Sequence, residues 1–198
     1  MIFDCDGVLV DSEWASSAAW QVALARFDYH IDDRTFGRFV GTTDRALSIA
    51  FAAQVEAEVE DVLAAAEEEM RDIAGRGLAP FPDAIGLIKR LAVPIGVASN
   101  SDRWRLELVL SSAGIRELFD VTVAGDEVTE PKPAPDMYLR VSELLGVSPG
   151  DCVVIEDSPT GVVAARAAGM TVVVVRRGHF PDEVLIAADR IVDSLDEM

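Results

Sequence analysis

Short uninterrupted apolar runs alternate along this chain with stretches in which apolar residues recur every three or four positions. Residues 1–4, 95–98, 121–124, 152–155 and 171–175 form the runs. They are rich in β-branched residues and end at polar or small ones. Such runs predict strands buried on both faces, hence parallel strands. Between them, Ala84, Leu87, Ile88 and Leu91 follow the helical i, i+3, i+4, i+7 spacing, as do Leu106, Val109, Leu110 and Ala113. Met137, Val141, Leu144 and Leu145 give a similar face. Ser158 before Pro159 predicts an N-cap with proline at the first helical position, and Gly169 a stop. Strand–helix alternation predicts an α/β fold, a parallel sheet with helices on both faces.

Residues 12–80 break the alternation and contain no convincing strand. Trp14, Ala18, Val22 and Ala25 mark one helical face, and Val55, Val59, Leu63, Ala66 and Met70 another. The segment reads as a helical insertion after the first strand, leaving residues 1–11 and 81–198 as the core. Gly75, Gly77, Pro80 and Pro82 punctuate the return to the sheet. The acids Glu56, Glu58, Glu60, Asp61, Glu67, Glu68 and Glu69 read as a solvated face.

Composition narrows the partners. The 198 residues suit one domain with an insertion, and half of them are apolar, enough for a sizeable core. The net charge of -18 argues against nucleic acid and anionic membrane surfaces. No apolar run approaches the roughly 18 residues of a membrane span, and the N-terminus has no secretory pattern. Cys5 and Cys152 give no disulfide framework and read as small core residues in a reducing compartment. A cytoplasmic protein, monomeric by default, is expected.

Acids then cluster where strands end. Asp4 and Asp6 follow the first run and, two apart in extended chain, share a side. One can act as nucleophile or metal ligand and the other as acid/base. Glu156 and Asp157 end a second run just before a capped helix. Two acidic pairs ending two parallel strands can share an oxygen-rich site suited to Mg²⁺. Ser99 and Asn100 end a third run, where a hydroxyl and backbone N–H groups can cradle an anion. Lys132 lies between Pro131 and Pro133, which restrict its backbone and present its ammonium rigidly.

In order and spacing the four fragments resemble the haloacid dehalogenase superfamily, in its phosphatase and sugar-phosphate mutase branch. The first motif is Asp4-Cys5-Asp6-Gly7-Val8-Leu9-Val10-Asp11-Ser12, the second Ser99-Asn100, the third Lys132-Pro133-Ala134-Pro135-Asp136, and the fourth Glu156-Asp157-Ser158-Pro159-Thr160-Gly161. The resemblance implies a Rossmann-like core with residues 12–80 as an α-helical cap. It implies that Asp4 attacks phosphorus, that Asp6 is the acid and then the base, and that Ser99, the Asn100 amide and Lys132 hold the phosphoryl oxygens. Mg²⁺ would sit on Asp4, the Asp6 carbonyl and Asp157, with Glu156 a ligand or a neighbour of the ligands. Gly41-Thr42-Thr43-Asp44-Arg45 resembles a cap loop whose Gly-x-Ser-Arg pattern serves mutases. Here the arginine falls one position late, making Arg45 a possible cap contact. Ser16 stands where mutases carry a cap histidine. Both departures favour a phosphatase.

The leading expectation is therefore a Mg²⁺-dependent phosphatase of a small phosphorylated metabolite, a sugar or polyol phosphate. A sugar-phosphate mutase is the alternative. A phospho-accepting signalling module is more remote, because Asp6 predicts fast loss of the phosphoryl group. A silent phosphosugar binder is more remote still. Trp14 and Trp20 read as core residues, His30 and His179 fit no triad, and Arg176 and Arg177 read as a solvated loop.

Overall fold

The computed structural model describes residues 1–39 and 42–198. Six parallel strands form one sheet: β1 (Ile2–Phe3), β2 (Gly96–Ser99), β3 (Val121–Ala124), β4 (Val153–Glu156), β5 (Thr171–Val175) and β6 (Arg190–Val192). Their order is β3-β2-β1-β4-β5-β6, that of a doubly wound Rossmann sheet. The five expected strands are present within a residue or two. The sixth is a short edge strand with only Ile191 and Val192 as apolar signal.

Side chains alternate between the two faces, as strand geometry requires. Phe3, Val97, Ile155, Val173 and Val175 enter one apolar cluster with α5 (Pro82–Arg90) and α6 (Arg103–Ser112). Ile2, Ala98, Val154, Val172 and Val174 enter the other, with α7 (Asp136–Leu145) and α8 (Pro159–Ala167). Leu144 is exposed, so the buried face of α7 runs through Met137, Tyr138 and Val141 instead. Ser158 caps α8, accepting from Gly161 N–H at 3.1 Å. Gly169, at φ +75°, follows the helix. The short α9 (Asp182–Leu185) lies between β5 and β6.

Between β1 and α5 the chain builds α1 (Glu13–Ala25), α2 (Asp33–Phe36), α3 (Asp44–Val55) and α4 (Val59–Ala74). These helices have their own apolar cluster, centred on Trp20, Leu24, Phe51 and Val62. The rings of Trp20 and Phe51 lie 5.9 Å apart. Truncating either to Ala would cost about 3–5 kcal/mol.

Two expectations for this segment are corrected. Trp14 is 52 % exposed and Val22 is also exposed, because α1 buries Ala15, Ala19, Trp20, Ala23 and Leu24. The face running from Val55 to Met70 is not one helix. Val55 ends α3, Glu56 takes φ +52°, and α4 starts afresh at Val59. Arg177 is likewise no solvated loop residue. It donates to the Gly7 carbonyl (3.1 Å) and to both Asp83 oxygens (3.1 and 3.0 Å), and it lies 3.9 Å over the Phe81 ring. It thus ties the loop after β1 to α5. Among the described residues no helix is long and apolar enough to cross a membrane.

Candidate active site

The chain turns back across the sheet between β1 and β4, and a crevice opens at the carboxyl ends of the central strands. Open α/β sheets bind ligands at such a switch point. Asp4 and Asp6 follow β1, Ser99 ends β2, and Glu156 ends β4 with Asp157 next. Lys132 arrives from the loop before α7. Its N–H donates to Asn100 Oδ1 (2.9 Å), and Asn100 Nδ2 donates to its carbonyl (3.2 Å). The Asn100 side chain is therefore a clamp on the lysine loop. All these residues except Glu156 line one cleft.

Lys132 Nζ is buried and uses its three protons on Asp4 Oδ1 (2.5 Å), Glu156 Oε1 (2.7 Å) and the Ala98 carbonyl (2.9 Å). Burial opposes its charge, but Asp4 and Glu156 outweigh that and hold its pKa well above the usual lysine value. Glu156 is 0 % exposed. Its Oε1 also accepts from Tyr138 OH (2.6 Å). Its Oε2 accepts from Asp157 N–H (3.0 Å), Ser158 N–H (3.1 Å) and Ser158 Oγ (2.9 Å). Burial would raise this carboxyl, yet Lys132 and these donors pull it below its ordinary range. A Cβ on Gly161 would stand 1.6 Å from Glu156 Oε1, so only glycine fits there.

Asp4 and Asp157 are less well compensated. Burial pushes Asp4 up, Lys132 pulls it down, and Glu156 and Asp6 push it up again, to about 8. Burial, then the charges of Glu156 and Asp4, raise Asp157 well above a normal carboxyl. No donor among the described residues reaches the Asp157 carboxylate. That carboxylate packs against Gly7, where a Cβ would meet Asp157 Oδ2 at 2.2 Å, and Gly7 takes φ +77°. Oxygens of Asp4, Glu156 and Asp157 lie within 4.8 Å of one another.

Asp6 is held by hydroxyls. Ser12 Oγ donates to its Oδ1 (2.5 Å), while Ser99 Oγ and Ser101 Oγ donate to its Oδ2 (3.3 Å each). Arg105 Nη2 lies 3.8 Å from Asp6 Oδ1.

The inserted helices supply the other wall of the cleft, with Glu13, Ser16, Trp20, Phe36 and Asp44 among its residues. Arg105 of α6, 7 % exposed, reaches across to this wall. Its Nη1 donates to Asp44 Oδ1 and Oδ2 (3.2 Å each), and its Nη2 to Ser16 Oγ. The sequence reading missed Arg105, although a cation four residues before Val109 on an apolar helical face was a usable signal. Arg45, the expected contact, is 61 % exposed and pairs with Glu60 at 3.5 Å. The place that the loop pattern gives to arginine holds Asp44, which does line the cleft. Gly41 of that loop lies outside the described residues.

A family model described as haloacid dehalogenase-like hydrolase matches residues 1–175. The chain belongs to this family, and its six-stranded parallel sheet is the α/β core of that fold. More particularly, it is 33 % identical over 180 residues to the fructose-1-phosphate phosphatase YqaB of Escherichia coli, covering 89 % of this chain and 95 % of that one. It is 32 % identical to hexitol phosphatase B of the same organism, covering 100 % and 92 %. Its fold superposes on CbbY from Rhodobacter sphaeroides in complex with phosphate, with a TM-score of 0.87, 28 % identity, and coverage of 99 % and 94 %. These relatives place it among the phosphoric monoester hydrolases of the family.

Proposed function

We propose that the protein is a Mg²⁺-dependent phosphatase of small sugar or polyol phosphates, working through an aspartyl-phosphate on Asp4. One observation carries the reading. Asp4 is clamped by Lys132 at the crevice, while Asp6, two residues on, is steadied by three hydroxyls and lines the same cleft. Asp4 attacks phosphorus, the bond to the alcohol oxygen breaks, and Asp6 gives that oxygen its proton. Asp6 then takes a proton from the water that attacks the phosphoryl group and frees Asp4. Lys132 balances charge on Asp4 and on the incoming phosphoryl oxygens. Ser99 Oγ and the Asn100 backbone N–H bind those oxygens, Ser99 exchanging its bond to Asp6 for one to phosphate. Phosphoryl transfer depends mostly on such positioning and charge balance.

The residues present fit a divalent cation. Three buried carboxyls gather beside one ammonium that, of the three, bonds only Asp4 and Glu156; their oxygens are hard donors, and among the described residues no hydrogen-bond donor reaches the Asp157 carboxylate. Asp4, Asp157 and the Asp6 carbonyl would hold the ion. Both Glu156 oxygens are already engaged, so Glu156 anchors Lys132 instead. Bound there, Mg²⁺ neutralises charge and polarises phosphoryl oxygens. Residues 12–80 act as the cap that closes over substrate and excludes water. A mutase would need a second phosphate site on the cap, and the outward Arg45 argues against one. The free, buried thiols of Cys5 and Cys152 suit the cytoplasm.

The test is a panel of phosphomonoesters assayed with Mg²⁺ and with EDTA. Turnover of sugar and polyol phosphates only with Mg²⁺ is expected. No turnover across the panel would overturn the proposal, and bisphosphate-primed isomer interconversion would replace it with the mutase.

A further inference from the structure

We infer that Asp44 and Arg105 form a mutually neutralised pair at the cap end of the cleft. That pair selects phosphomonoesters with an uncharged, hydroxyl-bearing leaving group and rejects those whose far end carries a carboxylate or a second phosphate. The inference rests on the phosphatase reading and adds to it the residues that set specificity.

Two cations line the cleft among the described residues, Lys132 and Arg105. Lys132 is spent on Asp4 and Glu156 at the phosphate end. Arg105 faces the cap end, where a leaving group would lie. Asp44 takes it through both oxygens at 3.2 Å, Ser16 Oγ accepts from it, and Asp6 stands 3.8 Å away. Both terminal nitrogens of Arg105 are thus engaged and its charge is matched by Asp44; among the described residues only its buried Nε has no partner. Asp44 is fixed in turn. It opens α3 behind the Thr43 cap and accepts from Trp20 Nε1 at 3.3 Å. Glu13 adds a second carboxyl to the same wall.

A substrate tail therefore meets two acids and one cation already paired. An anion there loses its water, faces the Asp44 carboxylate and must compete with it for Arg105. A neutral tail with hydroxyl groups meets hydroxyl and carboxylate partners in Ser16, Thr42 and Glu13, with the Trp20 and Phe36 rings beside them. Discrimination by an unpaired charge is the repulsive half of specificity.

The experiment compares kcat/KM for glucitol 6-phosphate and gluconate 6-phosphate on the full chain with Mg²⁺. The two esters differ only in a terminal CH₂OH against a carboxylate. 4-Nitrophenyl phosphate serves as control. The wild type is expected to prefer the glucitol ester by at least about fivefold, and Asp44→Asn, which frees the Arg105 charge, to shrink that preference at least about threefold. A smaller wild-type preference, or the same preference in Asp44→Asn, overturns the inference. A ratio taken on one preparation does not depend on how much of it is folded. Should neither Asp44→Asn nor Asp44→Ser fold, the wild-type ratio decides alone. Turnover of the nitrophenyl ester with no preference within the hexitol pair, or no turnover of that pair, sinks the specificity pair only. Failure on all three esters sinks the phosphatase reading with it.

Discussion

Replacing Glu156 with Gln asks whether this carboxylate anchors Lys132 or binds the metal. In the fold it accepts from Lys132 Nζ and Tyr138 OH on one oxygen, and from Asp157 N–H, Ser158 N–H and Ser158 Oγ on the other. A glutamine has one acceptor oxygen. Turned toward the Asp157 and Ser158 donors, it points its NH₂ at the Lys132 ammonium. Tyr138 can rotate its hydroxyl to accept, but an ammonium has no acceptor to offer. The loss is one charge-assisted hydrogen bond, about 1.5–3 kcal/mol. With the charge balance of a fully buried lysine broken as well, the total is about 3–5 kcal/mol. For a chain of this size that lowers Tm by about 6–20 °C. Urea and thermal unfolding in EDTA measure it without metal. Tyr138→Phe, which removes a single donor, should cost less, about 1–3 kcal/mol. The reasoning is refuted if Glu156→Gln stays within about 1 kcal/mol of wild type in EDTA while its Mg²⁺ requirement rises steeply. Glu156 would then be a ligand and not the anchor of Lys132.

Two further predictions follow from neighbouring contacts. Gly7→Ala places a methyl group at φ +77° and within 2.2 Å of Asp157 Oδ2. It should lose about 1–3 kcal/mol in urea unfolding and need more Mg²⁺ for half-maximal rate, since Asp157 must move. For Asp83, burial raises the carboxyl, but Arg177 and the Leu195 N–H outweigh it and hold its pKa below the usual value. A depressed folded pKa contributes stability that is complete above the unfolded pKa of about 3.9 and is lost as pH falls through the folded value. Wild type should thus exceed Asp83→Asn in stability at pH 6, and the gap should narrow as the pH falls from about 5 to 3. A gap that does not change with pH would show that the contact acts through shape alone.

Much of this arrangement was legible because strand ends place side chains. Once β1, β2 and β4 are read as buried parallel strands, Asp4, Ser99 and Glu156 must meet at one edge of the sheet. Ser158-Pro159 marked the start of α8 for a local reason, a side-chain cap that needs no tertiary partner. What escaped depended on distant partners. Both Trp14 and Trp20 read as core positions of α1, and only packing against α3 and α4 decides that Trp20 turns inward while Trp14 stays exposed. The break at residues 56–58 has no glycine or proline to announce it. The fourth motif supplies a carboxylate at 156 but does not say which way it turns; Tyr138 and Lys132 decide that. Arg45 and Asp44 differ by one step on α3, and a one-residue step turns a side chain about 100° around the helix axis. That step replaces an expected cation in the cleft with an acid.

The most direct test of the account is Asp4→Asn, assayed on 4-nitrophenyl phosphate and glucitol 6-phosphate with Mg²⁺, beside a thermal melt. If Asp4 supplies the attacking carboxylate, its removal should cut kcat/KM by about a thousandfold or more with the fold intact. A folded Asp4→Asn protein that turns these esters over within about tenfold of the wild-type rate would contradict the assignment of Asp4 as the nucleophile.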